Sequence, residues 1–187
     1  MPEIHPEVRL TQDLFSNYSS ARSDWASQAA EDAEFRAGKQ WSDKQVKALR
    51  ARAQEPLVVN VIHPAVEQAK AMLTANSPKF QSTGRDTSDT KVGRIFSDLM
   101  SWVWDISIGN TELKQCIDDY YVKGMGVMIS YIAPDADFGK GEVYVKSIDP
   151  FSVYFDADSQ DPFCRDASNI IIAKRITEKE LIEIYPE

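Results

Sequence analysis

The stretch Trp25-Ala-Ser-Gln-Ala-Ala-Glu31-Asp32-Ala-Glu-Phe35-Arg-Ala-Gly38-Lys-Gln40-Trp41 decides how the rest of the chain is read. Leading into and through it, Leu14, Tyr18, Ala21, Trp25, Ala29 and Ala33 recur at spacings of three and four. That spacing places them on one helical face. Gly38 supplies the stop, because glycine accepts the left-handed conformation at a helix end. The pattern predicts one long helix of about 25 residues starting at Thr11. Its apolar stripe is narrow, and a long helix with a narrow stripe packs along something larger, such as a neighbouring subunit or the outside of a domain. The aromatics read as ordinary core or, because Trp and Tyr concentrate interface energy, as faces turned to neighbouring subunits; on the second reading Leu14, Tyr18, Trp25, Phe35 and Trp41 are the candidate subunit-contact residues.

Upstream, residues 1–10 contain two prolines and no periodicity, so a flexible tail, or one held by a partner, is expected there. Downstream, Ser42 and Asp43 offer an N-cap for a helix from Asp43 to Ala53, with Trp41 placed to pack back onto it as a hydrophobic staple. Lys44, Lys47 and Arg50 fall three apart on that helix. They read as a solvated face or as an electrostatic contact with an acidic partner or DNA. Pro56-Leu-Val-Val-Asn-Val-Ile62 is β-branched and bounded by prolines, so it is extended. Pro64 suits the first turn of a helix whose apolar face is Val66, Ala69 and Leu73, and Asn76-Ser77-Pro78 ends it. Residues 79–91 are polar and turn-rich and read as a loop.

Two helices follow. Val92, Ile95, Phe96, Leu99, Val103 and Ile106 form a broad stripe flanked by Trp102 and Trp104. Gly109-Asn110 breaks the chain, with Asn110 or Thr111 as cap. Leu113, Cys116, Ile117, Tyr120 and Tyr121 then mark a second amphipathic helix, packed on the first as an antiparallel hairpin. After Lys123 the period becomes extended: strands are expected at Met125–Ile132, Glu142–Ile148, Phe151–Phe155 and Asn169–Ile176. Thr177-Glu-Lys-Glu180 is a capping box that opens a helix. The chain stops at Tyr185-Pro186-Glu187 shortly after that helix starts, and the expectation is the N-terminal part of a longer product. The fold class is α+β: a long N-terminal helix, a helical hairpin and a small, mostly antiparallel sheet. Along the chain this divides into the tail (1–10), a helical region (11–124) and a β-rich region (125–187).

At 187 residues, 43% hydrophobic and 27% charged, the composition is that of a folded soluble chain with a core of its own. No run approaches a membrane span, and the N-terminus lacks a signal pattern. The two cysteines, Cys116 and Cys164, do not make a disulfide framework. The net charge is −8, and the deficit is local: residues 101–187 carry 8 Lys/Arg against 16 Asp/Glu, whereas residues 1–100 are balanced. A protein gripping DNA over a large surface carries a basic excess, so tight phosphate binding is not expected.

Candidate chemistry is sparse. Gly124-Met125-Gly126 lies between a helix and a strand, the reverse of a dinucleotide fingerprint. These glycines read as letting the chain turn and the strand pass close to the helix. Asp156, Asp158, Asp161 and Asp166 form an acidic loop. Oxygen ligands at such spacing suit Ca²⁺ or Mg²⁺, but Pro162 interrupts and the glycine and bidentate Glu of a calcium loop are missing. Turn-forming aspartates are the plainer reading. With only His5 and His63, and no His near either cysteine, nothing nominates a nucleophilic site. No enzyme activity and no cofactor are expected.

The long helix with Trp25, Glu31-Asp32 and Phe35, followed by Gly38-x-Gln40-Trp41, resembles the opening of portal proteins of tailed double-stranded-DNA phages, most closely the short-tailed type. The resemblance continues through Pro56-Leu57-x-x-Asn60-x-Ile62, Asn76-x-Pro78, the helix pair and Gly124-x-Gly126. It closes with Ile148-Asp-Pro150-x-x-Val153, Asp156 and Asp166-Ala167. It implies a wing-region segment of a ring oligomer, typically of twelve subunits, at one capsid vertex of the virion, assembled in the host cytoplasm. Such rings nucleate head assembly, dock terminase, join head-completion and tail proteins, and let DNA pass in packaging and ejection, without catalysis or cofactor. The rival readings are a head–tail adaptor or other virion component, and a metal-dependent nucleic-acid enzyme using the Asp156–Asp166 loop.

Overall fold

The structure, a computed structural model, describes residues 5–84, 86, 89–161 and 163–184. The expectations for residues 1–4, Arg85, Thr87, Ser88, Pro162 and Tyr185-Pro186-Glu187 lie outside these. The fold is α+β, with the helices in the majority and the strands in two antiparallel pairs. One compact unit joins the two ends of the chain, up to Ser27 and from Phe151 on; the other is Gln28–Pro150.

In the first unit, helix α1 (Pro6–Ala21) starts five residues before the expected Thr11, with Pro6 in its first turn. Proline is tolerated there because that N–H has no helical partner anyway. The expected single helix is in fact two: α1 ends at Arg22, and α2 (Ser23–Arg36) resumes after it. No proline or glycine stands at the interruption; the Arg22 side chain there bonds the carbonyls of Phe151 and Val153, as described below. Strand β3 (Val153–Phe155) pairs antiparallel with β4 (Ile170–Ile172), with Val153 opposite Ile172. Both are shorter than expected, because residues 150–152 form a 3₁₀ turn and pairing ends at Ile172. Helix α8 (Glu178–Ile184) starts at the expected box: the Glu180 carboxylate accepts from the Thr177 N–H at 2.8 Å.

In the second unit, α3 (Asp43–Ala51) carries a full capping box between Ser42 and Gln45. Residues 56–61, expected to be extended, join no ladder; the Leu57 and Val61 N–H groups turn back onto the carbonyls of Glu55 (2.9 Å) and Val59 (3.1 Å), and Val61 is already in the helical region. Helix α4 (Ile62–Leu73) is capped by Asn60, whose side-chain oxygen accepts from the His63 N–H at 3.1 Å. Helices α5 (Thr90–Ile106) and α6 (Gly109–Lys123) pack together through a two-residue turn, Ser107-Ile108. The break therefore falls earlier than the expected Gly109-Asn110. Gly109 is needed for another reason: a Cβ there would lie 2.3 Å from the Trp104 ring. Ile108 takes the left-handed conformation, φ 52°, in its place.

Strand β1 (Val127–Ala133) pairs antiparallel with β2 (Glu142–Ile148), with Ser130 opposite Val145. Between them Ala136–Gly139 forms a single turn, α7, with positive φ at Asp137 and Phe138. The reading of the glycine pair holds in geometry. Gly124 caps α6 at φ 74°, and a Cβ on Gly126 would meet the Cys116 carbonyl oxygen at 2.5 Å. Glycine is what lets β1 leave so close to α6.

Candidate interaction surfaces

Arg22 organises the first unit. Its guanidinium donates to the carbonyls of Val153 and, at 3.2 Å, Phe151. It also stacks over the rings of Tyr154 (4.2 Å) and Trp25 (4.8 Å). Phe15 lies 4.6 Å from Tyr154 and Trp25 5.6 Å from Phe151. A planar cation that bonds carbonyls edge-on while its faces meet rings is a role suited to arginine and not to lysine. The sequence held a signal: Arg22 lies four residues after Tyr18 and three before Trp25, on their face.

This cluster decides the fate of the expected contact residues. Tyr18 is only 3% exposed, so its own chain already covers it and it offers nothing to a neighbour. Leu14 and Trp25 are half-buried. Phe35, in the second unit, is half-buried and lines a depression with Ile62, Val66, Tyr121 and Val122. Trp41 remains exposed, and its indole N–H donates to the Leu57 carbonyl at 3.1 Å, tying it to the segment that leads into α4. Lys44, Lys47 and Arg50 are exposed and form no ion pair among the described residues.

A half-buried charge network was not foreseen. Arg36 on α2 donates to Asp118 on α6 and, at 2.8 Å, to Glu67 on α4. Lys70 reaches Glu67 at 2.6 Å and Asp118 at 3.0 Å. Burial opposes ionisation of Asp118, but its bonds to Arg36 and Lys70 outweigh that and lower its pKa. The bond to Glu67 leads in raising the Lys70 pKa against burial. For Arg36, burial is likewise outweighed by Asp118 and Glu67, and the pKa rises. A second pair is deeper: Asp119 is buried, and Lys123 bridges it to Asp149, each at 2.9 Å. The inward face of α6 thus carries acids beside Leu113, Cys116 and Ile117, while Tyr120 and Tyr121, expected inside, are exposed. The visible clue was the Glu67–Lys70 pair at i,i+3; its acidic partners on α6 had none.

The acidic loop resolves into turn chemistry. Asp166 accepts from the Ser159 hydroxyl at 2.6 Å and the Gln160 N–H at 2.8 Å. Asp156 accepts from the N–H groups of Asp158 (3.1 Å) and Ser168 (3.0 Å). Asp161 accepts from Phe163 N–H at 2.9 Å and also pairs with Arg165. These backbone bonds hold the Asp156 carboxylate below its ordinary pKa, and for Asp166 the Ser159 hydroxyl leads in the same direction. Among the described residues no three His, Cys, Asp or Glu side chains are grouped to hold a metal ion.

The largest departure is on α5. Its stripe was expected to face α6, yet Val92, Ile95, Phe96, Leu99 and Trp102 are exposed. The covered side of α5 is Gly93 and Ser97 near its start, where the Ser97 hydroxyl accepts from the Ser82 N–H at 2.8 Å, and the half-buried Val103, Trp104 and Ile106 at its end, with Phe80 5.3 Å from Trp104. An amphipathic helix whose apolar side meets solvent is incomplete by itself, and contiguous patches of this kind mark interaction sites. No helix among the described residues is long and apolar enough to cross a membrane.

An α+β chain with a structural charge network, a carboxylate loop closed on its own backbone and an uncovered apolar helix face has the make-up of an assembly subunit. The model of the phage P22-like portal protein family matches residues 12–187, and the chain belongs to that family. It is a phage structural protein of the portal, the head–tail connector. No curated protein matches it.

Proposed function

We propose that this chain forms part of the wall of a ring-shaped portal at one capsid vertex, assembled in the host cytoplasm. The ring serves head assembly, passes DNA during packaging and ejection, and docks terminase and head-completion or tail proteins. The exposed stripe of α5 is the observation that carries this reading: Ile95, Phe96, Leu99 and Trp102 form an apolar face that a neighbour in a ring covers. Trp41, Leu14, Trp25 and Phe35 supply further contact where they remain accessible. The net charge of −8 supports a passage that does not hold the phosphate backbone. Lys44, Lys47 and Arg50 face outward without partners among the described residues, which suits them to an acidic surface of another subunit or docking protein.

The test is the native mass of the gene product carrying Ile95→Asp and Phe96→Glu, beside the unaltered protein. The reading expects a ring, of twelve subunits on the family pattern, that falls to monomers in the variant with its helix content kept. A monomeric unaltered protein at every concentration, or a variant that still forms the ring, overturns it.

A further inference from the structure

Helix α5 carries a row of charges along the flank of its exposed apolar stripe. Arg94, Asp98, Trp102 and Asp105 follow at spacings of four, four and three, so they share a face, and all four are exposed. From the N-terminal end the row reads cation, acid, ring, acid. The two carboxylates stand about 10 Å apart along the helix axis with Trp102 between them. Lys91, also exposed, precedes the row by one turn.

Helix α3 carries the opposite order. Asp43 opens it, and Lys44, Lys47 and Arg50 follow on the same side, all exposed. Lys44 and Arg50 stand about 9 Å apart along the axis, close to the spacing of the α5 acids. Like α5, this helix has exposed apolar side chains beside its charges. The Trp41 bond to the Leu57 carbonyl holds them at its start, where Leu57 is 82% and Val59 78% exposed. Within one copy the two rows do not meet: none of these charged side chains forms an ion pair among the described residues.

A ring needs two different, mutually complementary surfaces on every copy, because its contacts are head-to-tail. Laid parallel, the rows match: Lys44 comes level with Asp98, Lys47 with Trp102 and Arg50 with Asp105, and Arg94 lies within reach of Asp43. In the antiparallel sense Asp43 lands beside Asp105, with no cation of α5 beyond it.

We propose that α3 of one copy docks along the outer face of α5 of the next, parallel to it, with Lys44 on Asp98, Arg50 on Asp105 and Lys47 over the Trp102 ring. A cation over an indole face is attracted by the ring. The apolar side chains next to each row supply the buried area, while the ion pairs, each contributing little affinity at a surface, fix register and direction. The choice of a second copy as partner rests on the ring reading; the match of the two charge rows does not.

The test reverses one row at a time in the gene product. One variant carries Lys44→Glu with Arg50→Glu, the other Asp98→Lys with Asp105→Lys. All four side chains are exposed, so far-ultraviolet circular dichroism is expected to stay unchanged. By native mass each variant alone is expected to lose the ring, because like charges then face each other at every contact. Mixed one to one, the two are expected to recover it as an alternating ring with an even number of subunits: the reversed rows attract each other, and the unaltered rows are the original pair. If the doubly changed α5 unfolds, Asp105→Lys alone replaces it. Rings unchanged in either variant, or folded variants that stay apart on mixing, overturn the docking. A ring that persists in both variants but dissolves with Ile95→Asp and Phe96→Glu removes this inference and leaves the portal reading standing; an unaltered protein that never forms a ring removes both. A ring kept by the α3 variant while it loses binding to a double-stranded DNA fragment assigns the cations to nucleic acid and overturns the proposal.

Discussion

The side-chain amide of Asn60 donates to the backbone carbonyl of Arg36 at 2.8 Å, while its oxygen accepts from the His63 N–H. One side chain thus satisfies an orphan carbonyl at the end of α2 and an orphan N–H at the start of α4. Asn60→Ala loses both and is expected to cost about 2 kcal/mol. Asn60→Asp keeps the cap on α4 and loses the donor, so it falls between. Urea unfolding of the three proteins gives the order directly.

Asp118 makes stability sensitive to acid. Its pKa is lowered in the folded state, so its contribution is complete above the ordinary aspartate range of about 4 and disappears as pH falls through the folded value. Lys70 and Arg36 have raised values, so their contributions hold through neutral pH and fade only in strong alkali. Asp118→Asn is therefore expected to cost about 2 kcal/mol at pH 7 and to flatten the loss of stability below pH 4. Unfolding midpoints between pH 3 and 7 check both parts; a parallel pH profile in the variant counts against the network.

Two glycines are held by close approach. A Cβ on Gly109 would enter the Trp104 ring, and one on Gly126 would meet the carbonyl of Cys116. Each Gly→Ala change is expected to destabilise by about 1–3 kcal/mol through overpacking. Gly109→Ala should also shift the tryptophan emission, because Trp104 has to move; Gly126→Ala should not.

Ile108 is β-branched, holds φ 52° and is 67% exposed. The left-handed conformation costs such a residue roughly 1–2 kcal/mol, and little burial offsets that. Ile108→Gly is expected to raise stability by about 1 kcal/mol, seen as a higher thermal midpoint. A lower midpoint would mean that the Ile108 side chain contributes contacts outweighing the strain.

Replacing Arg22 by lysine tests the organising cation. Lysine keeps the charge but cannot bond two carbonyls edge-on while stacking on Tyr154 and Trp25. A loss of about 1–2 kcal/mol is expected, with a weaker near-ultraviolet signal from the aromatic cluster.

What was legible in the sequence was local. Capping chemistry marked α3 at Ser42 and α8 at Thr177. Apolar periodicity marked α4, α5 and α6, and alternation marked β2 from Glu142 to Ile148. Gly124 and Gly126 announced a close turn, and the ordered motifs from Trp25 to Ala167 pointed to the portal family before any fold was known. These features depend on neighbours a few residues away, so sequence alone determines them. Tertiary structure decided the rest. It ended the first helix at Arg22, whose side chain bonds the Phe151 and Val153 carbonyls more than a hundred residues on. It buried Tyr18, turned the α6 acids inward to Arg36, Lys70 and Lys123, and left the α5 stripe open. Periodicity states that a face is apolar; only the packed chain shows whether its own residues cover it or leave it for a partner.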